Sequence, residues 1–257
     1  MIAFSGGWLD PDHWRVLENC VCLHRTASSN GLARGLIELY FEEGQDLPTT
    51  VLTAEGQPGA YGRNGRPWAA PAGQGLYLTL IRKAVPGEPL SVVPIAVARW
   101  TGEVLREDAG TAVELKWPND LYARRRKLAG VIAESRTQGE DTYLAVGIGV
   151  NVLGSAASLG VANATTVEEE TGRALPLAPL LQAVLNRFDR ELAAPRWGEE
   201  IHAWELASLH RLGDRLTVRR NGEDVTGEYL GLNPSGFLRL RTESGEAIVA
   251  TGEVARW

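Results

Sequence analysis

Apolar positions along the chain recur at two spacings, and the spacing changes segment by segment. Cys20 to Leu23 and Thr50 to Ala54 are short apolar runs and predict strands; Leu76 to Ile81 alternates weakly and predicts another. Further strands are expected near Val113, Leu128 and Tyr143. Helical spacing is clearest in Pro89 to Glu107, where Val93, Val97, Trp100 and Val104 share one face. Ser28 or Ser29 can cap a helix running to about Glu43, with Leu32, Leu36, Leu39 and Tyr40 as its apolar stripe. A helical pair is expected near Thr166 to Gly172 and Ala178 to Leu192. This mixed order predicts an α+β fold, a mixed sheet with helices on one side.

The texture shifts after Ala194. A helical stretch to about Leu209 leads into short strands at Arg215 to Val218, Tyr229 to Leu232, Phe237 to Leu240 and Ala247 to Val249. They are separated by Asn221-Gly222, Asn233-Pro-Ser-Gly236 and Ser244-Gly245, and Asn-Gly is a strong hairpin signal. The expected organisation is one domain over residues 1–208 and a small C-terminal β-barrel over 212–257.

Composition sharpens this in three ways. A hydrophobic content of 44% is ordinary for a chain with a real core. The net charge of −6 argues against non-specific nucleic-acid binding, while basic residues cluster locally at Arg63 and Arg66, Arg82 and Lys83, and Arg124 to Lys127. A local basic site in an acidic protein suits a small anionic ligand better than a polymer, although Arg124 to Arg126 reads equally well as a solvated turn. The two cysteines, Cys20 and Cys22, share one face of a strand and read as core thiols. The first residues lack signal-peptide blocks, and the longest apolar run, Val92 to Ala98, contains Pro94 and is too short to span a bilayer. A cytoplasmic protein without membrane partners is expected.

Two segments carry the chemistry. Lys116-Trp-Pro-Asn-Asp-Leu121, followed by Lys127-Leu-Ala-Gly130, sets two ammonium groups, a carboxylate and an amide around a turn between apolar segments. Pro118 stops regular pairing, and Asn119 and Asp120 suit the turn. The second segment, Gly56 to Trp68, mixes glycines with Arg63, Arg66 and Trp68. Glycines let backbone amides approach a ligand, arginines fork onto phosphate or carboxylate, and an indole offers a flat face. A mobile loop accounts for the glycines but not for the other three residues. P-loop, H-E-x-x-H, C-x-x-C and G-x-S-x-G patterns are absent, and His13, His24, His202 and His210 are scattered. Arg, Lys, Asp and backbone amides must therefore carry any catalysis, which suits nucleotidyl transfer.

Together, Lys116 to Leu121, Lys127 to Gly130, Gly62-Arg-Asn-Gly-Arg-Pro-Trp68, Ser28-Ser29-Asn30, Gln57 and Gly147-Ile-Gly-Val-Asn151 resemble the biotin–protein ligase family, in the family's order, from about Cys22 to Val152 with a weaker trace beyond. The resemblance implies a class II synthetase-like catalytic domain, biotin and ATP as substrates with Mg²⁺ accompanying ATP, and no protein metal site. It implies formation of biotinyl-adenylate and transfer of biotin to a lysine of a biotin carboxyl carrier domain. By the same resemblance Arg63, Lys127 and Asp120 are catalytic. Ser28, Ser29, Asn30, Gln57, Tyr61, Gly62, Arg63, Lys127 and Gly130 bind biotin. Arg63, Arg66, Trp68, Lys116, Asn119, Lys127 and Asn151 bind ATP, with Lys116 equally readable as structural. Ala60-Tyr61 departs from the family's Gly-Arg pair, so a contact made by that arginine side chain is lost. Lipoate–protein ligase and a biotin-binding module without transfer remain alternatives. Met1 to Asn19 leaves no room for the DNA-binding domain of repressor members, so a monofunctional ligase is expected. Homodimers occur in the family, but nothing in the sequence identifies an exposed sheet edge.

Overall fold

The computed structural model describes residues 1–220 and 222–257. Asn221, the first residue of the expected Asn221-Gly222 turn, lies outside the described residues. The chain builds one large mixed sheet and one small antiparallel sheet. The N-terminal hairpin pairs β1 (Ile2–Phe4) with β2 (Gly7–Leu9). The large sheet has the order β3-β4-β5-β9-β8-β7-β6. Its strands are β3 (Asn19–Arg25), β4 (Thr50–Gly56), β5 (Gly75–Lys83), β6 (Glu114–Lys116), β7 (Asp120–Ala123), β8 (Arg126–Gln138) and β9 (Asp141–Asn151). Only β3 and β4 pair in parallel, and α1 (Ser29–Glu42) makes the connection such a pair requires.

The alternation of side chains along β5 and β9 decides what lies on each face. Leu76, Leu78 and Leu80 of β5, with Leu144, Val146, Ile148 and Val150 of β9, enter the main core. Against that face pack α2 (Val93–Glu107) and α5 (Leu177–Ala193), with Trp100 and Phe188 fully buried. The other face is different. Ile81, Tyr143 and Ala145 form a smaller cluster under α1, and the neighbouring positions are Gly147, Gly149 and Asn151. Most helical mass therefore lies on one side, but α1 lies on the other, beside a strip of sheet that carries no apolar cover.

The expected stripe on α1 is rotated. Leu32 and Leu39 are exposed, and the buried face is Ser29, Asn30, Ala33 and Ile37. The cause is the polar Ser29-Asn30 pair, which belongs to a buried network rather than to solvent. The α2 face is as expected: Val93, Val97, Trp100 and Val104 are all buried. Asp120 to Ala123, which the sequence placed in or just after the turn, forms the separate strand β7, so the β6–β8 region is a three-stranded meander. Two short helices, α3 (Ala156–Leu159) and α4 (Val167–Thr171), follow β9; α4 lies within the helix expected near Thr166 to Gly172, and Thr166 caps it.

After α6 (Trp197–Leu206), five strands follow: β10 (Arg215–Arg220), β11 (Glu223–Leu232), β12 (Leu238–Thr242), β13 (Gly245–Val249) and β14 (Glu253–Arg256). The last was not expected. Their order is β13-β12-β11-β10-β14, and no ladder joins β13 to β14 among the described residues, so the expected barrel is an open antiparallel sheet in its hydrogen bonding. Backbone and side-chain contacts of the β6 region tie this part of the chain to the large sheet. Leu115 of β6 bonds with Ala207 and Leu209 on the connecting segment, and Trp117 Nε1 donates to Gly236 O at 2.9 Å. Among the described residues no helix is long and apolar enough to cross a membrane.

Just before β3, three consecutive backbone amides are held by one side chain. The buried Asp189 carboxylate of α5 accepts from the backbone amides of Arg15, Val16 and Leu17 at 2.7–3.0 Å. Asp189→Ala leaves those amides unpartnered and is expected to cost about 3 kcal/mol in denaturant unfolding. A loss under about 1 kcal/mol, within the ordinary worth of one hydrogen bond, would show that the segment does not depend on this carboxylate.

Candidate active site

The uncovered strip of the large sheet forms the floor of a cleft of about 710 Å³. Its walls are the start of α1, the loop from Gln57 to Trp68, the β7–β8 turn, and a rim from the small sheet that includes Arg219, Gly252 and Glu253. Nearly all residues singled out in the sequence line it: Ser28, Ser29, Asn30, Gln57, Tyr61, Gly62, Arg63, Arg66, Trp68, Asn119, Asp120, Lys127, Gly130 and Asn151.

One end is a buried network of neutral polar groups that ends on one carboxylate, Glu134. Gln57 Nε2 donates to Ser29 Oγ at 3.0 Å and to Tyr77 O at 3.1 Å, while its Oε1 accepts from Ser29 N at 2.9 Å. Thr79 Oγ1 lies 2.7 Å from Ser29 Oγ and 2.6 Å from Asn30 Oδ1. Asn30 Nδ2 donates to Glu134 Oε2 at 3.3 Å. Ser28 is the cap of α1, accepting from Gly31 N. Such a network fixes amide and hydroxyl orientations in advance of any ligand. Thr79 and Glu134 were missed. The signal for Thr79 was there: it is the one aliphatic hydroxyl inside the apolar run Leu76 to Ile81.

Gly147 and Gly149 do permit a close approach, but it is of side chains. A Cβ at Gly147 would stand 2.1 Å from Asn30 Oδ1, and one at Gly149 would stand 2.7 Å from the Trp68 ring. Asn30 and Trp68 thus lie directly on the sheet backbone. Asn151 is buried and donates to Thr165 O at 3.1 Å, leaving its carbonyl oxygen free of that bond.

The charged centre is Lys127 and Asp120, Nζ to Oδ1 2.7 Å. Gly130 lies beneath both: a Cβ there would come within 3.2 Å of Asp120 Oδ1 and 3.4 Å of Lys127 Cε. Lys127 Nζ also sits 5.4 Å from the centre of the Trp68 ring. Asn119 donates its side-chain amide to Val131 O and accepts at its backbone carbonyl from Val131 N, which braces the turn that presents Asp120.

The loop is pinned at several points. Trp68 N donates to Ala60 O and Gly62 N to Arg66 O, with Asn64 and Gly65 at positive φ in the tip. Tyr61, where the family arginine is missing, donates its hydroxyl to Glu134 at 3.2 Å, and Arg34 of α1 sits 5.8 Å over its ring. Arg63 Nη1 donates to Gly252 O at 2.9 Å and Arg66 pairs with Glu253. Burial lowers the Arg63 pKa, with Asp120 and Glu253 acting against that shift. Burial works against the charge on Glu253, but Arg66, Lys116 and Lys127 bring its carboxyl below the usual range. The rim contributed by the small sheet was not visible in the sequence, because Gly252 and Glu253 lie far from every motif.

Two basic segments that the sequence left open between a ligand role and a structural one lie away from the cleft. Lys116 does not line the cleft; its side chain is 3% exposed, against Tyr122 and Trp257. In the Arg124 to Arg126 run, Arg124 and Arg126 pair with Glu169 and Glu170, and Arg125 packs on Trp257.

The model of the biotin/lipoate A/B protein ligase family matches residues 36–151, and that of the biotin protein ligase C terminal domain matches residues 212–257. A biotin--[acetyl-CoA-carboxylase] ligase of Paracoccus denitrificans is 31% identical, over 90% of this chain and 98% of that protein. One of Mycobacterium tuberculosis is 30% identical, over 94% of this chain and 89% of that protein. The solved structure of the biotin protein ligase from Aquifex aeolicus in complex with biotin and ATP is similar with a TM-score of 0.72 at 27% identity, covering 93% of this chain and 98% of that one.

Gly149→Ala will push Trp68 off the floor, and overpacking of this kind costs about 1–3 kcal/mol. Trypsin is expected to cut after Arg63 several-fold faster than in the parent protein; Pro67 blocks cutting after Arg66. An unchanged cutting rate would show that the loop position does not depend on Trp68 lying on Gly149.

Proposed function

Because this chain belongs to the biotin/lipoate A/B protein ligase family, we propose that it activates biotin with ATP to biotinyl-5′-adenylate and transfers the biotinyl group to a lysine of a biotin carboxyl carrier domain. The observation that carries the residue assignment is the Lys127–Asp120 pair, 2.7 Å apart in a cleft with a neutral polar network at one end and arginines over the other. The match of residues 212–257 to a biotin ligase C-terminal model favours biotin over lipoate. Residues 1–208 are read as the catalytic domain and 212–257 as a domain that completes its rim.

The chemistry follows from charge. In the first step a biotin carboxylate oxygen bonds to the α-phosphorus of ATP and pyrophosphate leaves. Both reactants are anions, so cations must offset their repulsion. Lys127 is the cation at the meeting point. Arg63 and Arg66 hold phosphate oxygens and keep the loop closed, which excludes water from the anhydride. Ser28, Ser29, Asn30 and Gln57, with the Tyr61 and Gly62 amides, receive the neutral ureido ring, and Gly130 leaves room for the chain that follows. Trp68 covers the nucleotide, and Asn151 offers its free carbonyl oxygen to the adenine edge. Mg²⁺ bound to ATP supplies charge screening; no group of three or more His, Cys, Asp or Glu among the described residues is placed to hold a metal, so phosphates are read as its main ligands.

In the second step the carrier lysine nitrogen bonds to the acyl carbon and AMP leaves. That lysine must react as an amine. Asp120 orients its ammonium and accepts the proton. While Lys127 is paired with Asp120 it blocks this role; drawn to the carboxylate and phosphate, it uncovers Asp120 for the acceptor. The free thiols Cys20 and Cys22 suit a reducing cytoplasm.

Lys127→Ala is expected to lower biotin-dependent ATP–pyrophosphate exchange by ~10²-fold or more. Exchange near the parent rate would sink the assignment of Lys127. Asp120→Asn is expected to slow transfer more than adenylation in a single-turnover experiment with preformed adenylate, and the defect should shrink at high pH, where more acceptor lysine is neutral. A lesion confined to exchange would place Asp120 with the nucleotide instead.

A further inference from the structure

Lys116 is a buried cation that the reaction described above does not use. It ends β6 and is the register partner of Asp120 across the turn. Its side chain is almost fully enclosed, and among the described residues no carboxylate lies within 4.0 Å of its nitrogen. Its one side-chain hydrogen bond among the described residues is a long one, 3.4 Å to the Tyr122 hydroxyl. A buried ammonium without a partner ordinarily loses its proton or finds another route to water.

What surrounds it instead is aromatic. Lys116 Nζ lies 3.9 Å from the centre of the Trp257 ring and 5.1 Å from that of Tyr122. The two rings meet edge to face at 89°, forming two walls of a box. Trp257 follows β14 directly, and Glu253 of that strand pairs with Arg66 of the cleft loop. A single strand of the small sheet therefore reaches two cations of the large domain. Trp257 is itself fixed by Arg125, which donates to its backbone oxygen at 3.3 Å and stands 5.6 Å over the same ring.

We propose that Trp257 is a positioning residue: its ring face holds Lys116 as an ammonium at the base of the Asp120 turn, so the small sheet supplies part of the positive field that acts on anions in the cleft. The face of an indole attracts a cation most strongly where water is excluded. A purely apolar joint would be filled as well by a leucine at position 116.

The groups facing Lys116 set the direction of its titration. Burial lowers its pKa; Asp120 and Glu253 raise it, and Lys127 lowers it further. His210, 5.9 Å from the Trp257 ring, is pushed by burial down to about 4 and stays neutral wherever Lys116 titrates. Tyr122 is pushed above its ordinary range by burial. Removing the indole removes an interaction that favours the charged form, so the Lys116 pKa must fall.

The chain has only three lysines, Lys83, Lys116 and Lys127, so each can be followed by carbon NMR of lysine-labelled protein. In Trp257→Leu the Lys116 midpoint is expected to fall by about one pH unit, and in Trp257→Phe by less. Lys83, on the large sheet and paired with Asp46 and Asp141, should not move and serves as the internal control. If the leucine variant fails to fold, the phenylalanine variant carries the same comparison. The functional half rests on the ligase reading: the alkaline limb of kcat/KM for ATP in pyrophosphate exchange is expected to move to lower pH with Lys116. In a Lys116→Met background Trp257→Leu should leave that limb alone. An unmoved Lys116 midpoint overturns the proposal, as does a limb that shifts equally without Lys116. Absence of exchange in the parent protein would count against the ligase reading, and the Lys116 titration would still decide the inference.

Discussion

The pairing of β5 with β9 is the constraint on which the rest depends. Side chains on successive strand residues point to opposite faces, so one register assigns both faces at once. With Leu76 opposite Val150 and Leu78 opposite Ile148, the apolar residues all enter the core under α2 and α5. The other face is then left to Tyr77, Thr79, Gly147, Gly149 and Asn151. A slip of one residue would bury these and expose the leucines. The cleft floor is therefore the opposite side of the core, and its glycines are what allow Asn30 and Trp68 to lie flat upon it.

On that floor the protein separates two kinds of polarity. Gln57, Ser29, Thr79 and Asn30 satisfy one another in a buried, uncharged network, which a neutral hydrogen-bonding ring can enter without bringing a charge. Lys127, Asp120 and Arg63 gather at the other side, where half-burial strengthens their fields. The small sheet is part of this arrangement and not an appendage. Gly252 and Glu253 receive Arg63 and Arg66, and Trp257 closes on Lys116. Movement of the loop and placement of the small sheet are thus coupled through a few charged contacts.

Much of this was legible in the residue order. The strands at Thr50 and Leu76, the α2 face and the capped helix α1 follow from local periodicity and turn chemistry. The site residues named from the motifs, Lys116 excepted, line one cleft. What failed did so where a side chain's partner was distant in sequence. The α1 stripe was misplaced because Ser29 and Asn30 are buried by partners on β4, β5 and β8. Lys116 was misplaced because the ring that encloses it arrives from Trp257. The strand β14 was missed because Glu253–Arg256 has no turn residue or alternation strong enough to stand out, and its pairing with β10 is what orders it. Arg124 to Arg126 gave no sign of its acidic partners on α4.

The central claim is that one cleft forms an acyl-adenylate from biotin and passes it to a lysine. The most direct test is intact-mass analysis of a biotin carboxyl carrier domain after incubation with this protein, ATP and biotin. The account predicts a carrier heavier by one biotinyl group on a single lysine, with AMP and pyrophosphate released and no gain when biotin is replaced by lipoate. An unmodified carrier, or a carrier modified by lipoate and not by biotin, would contradict it.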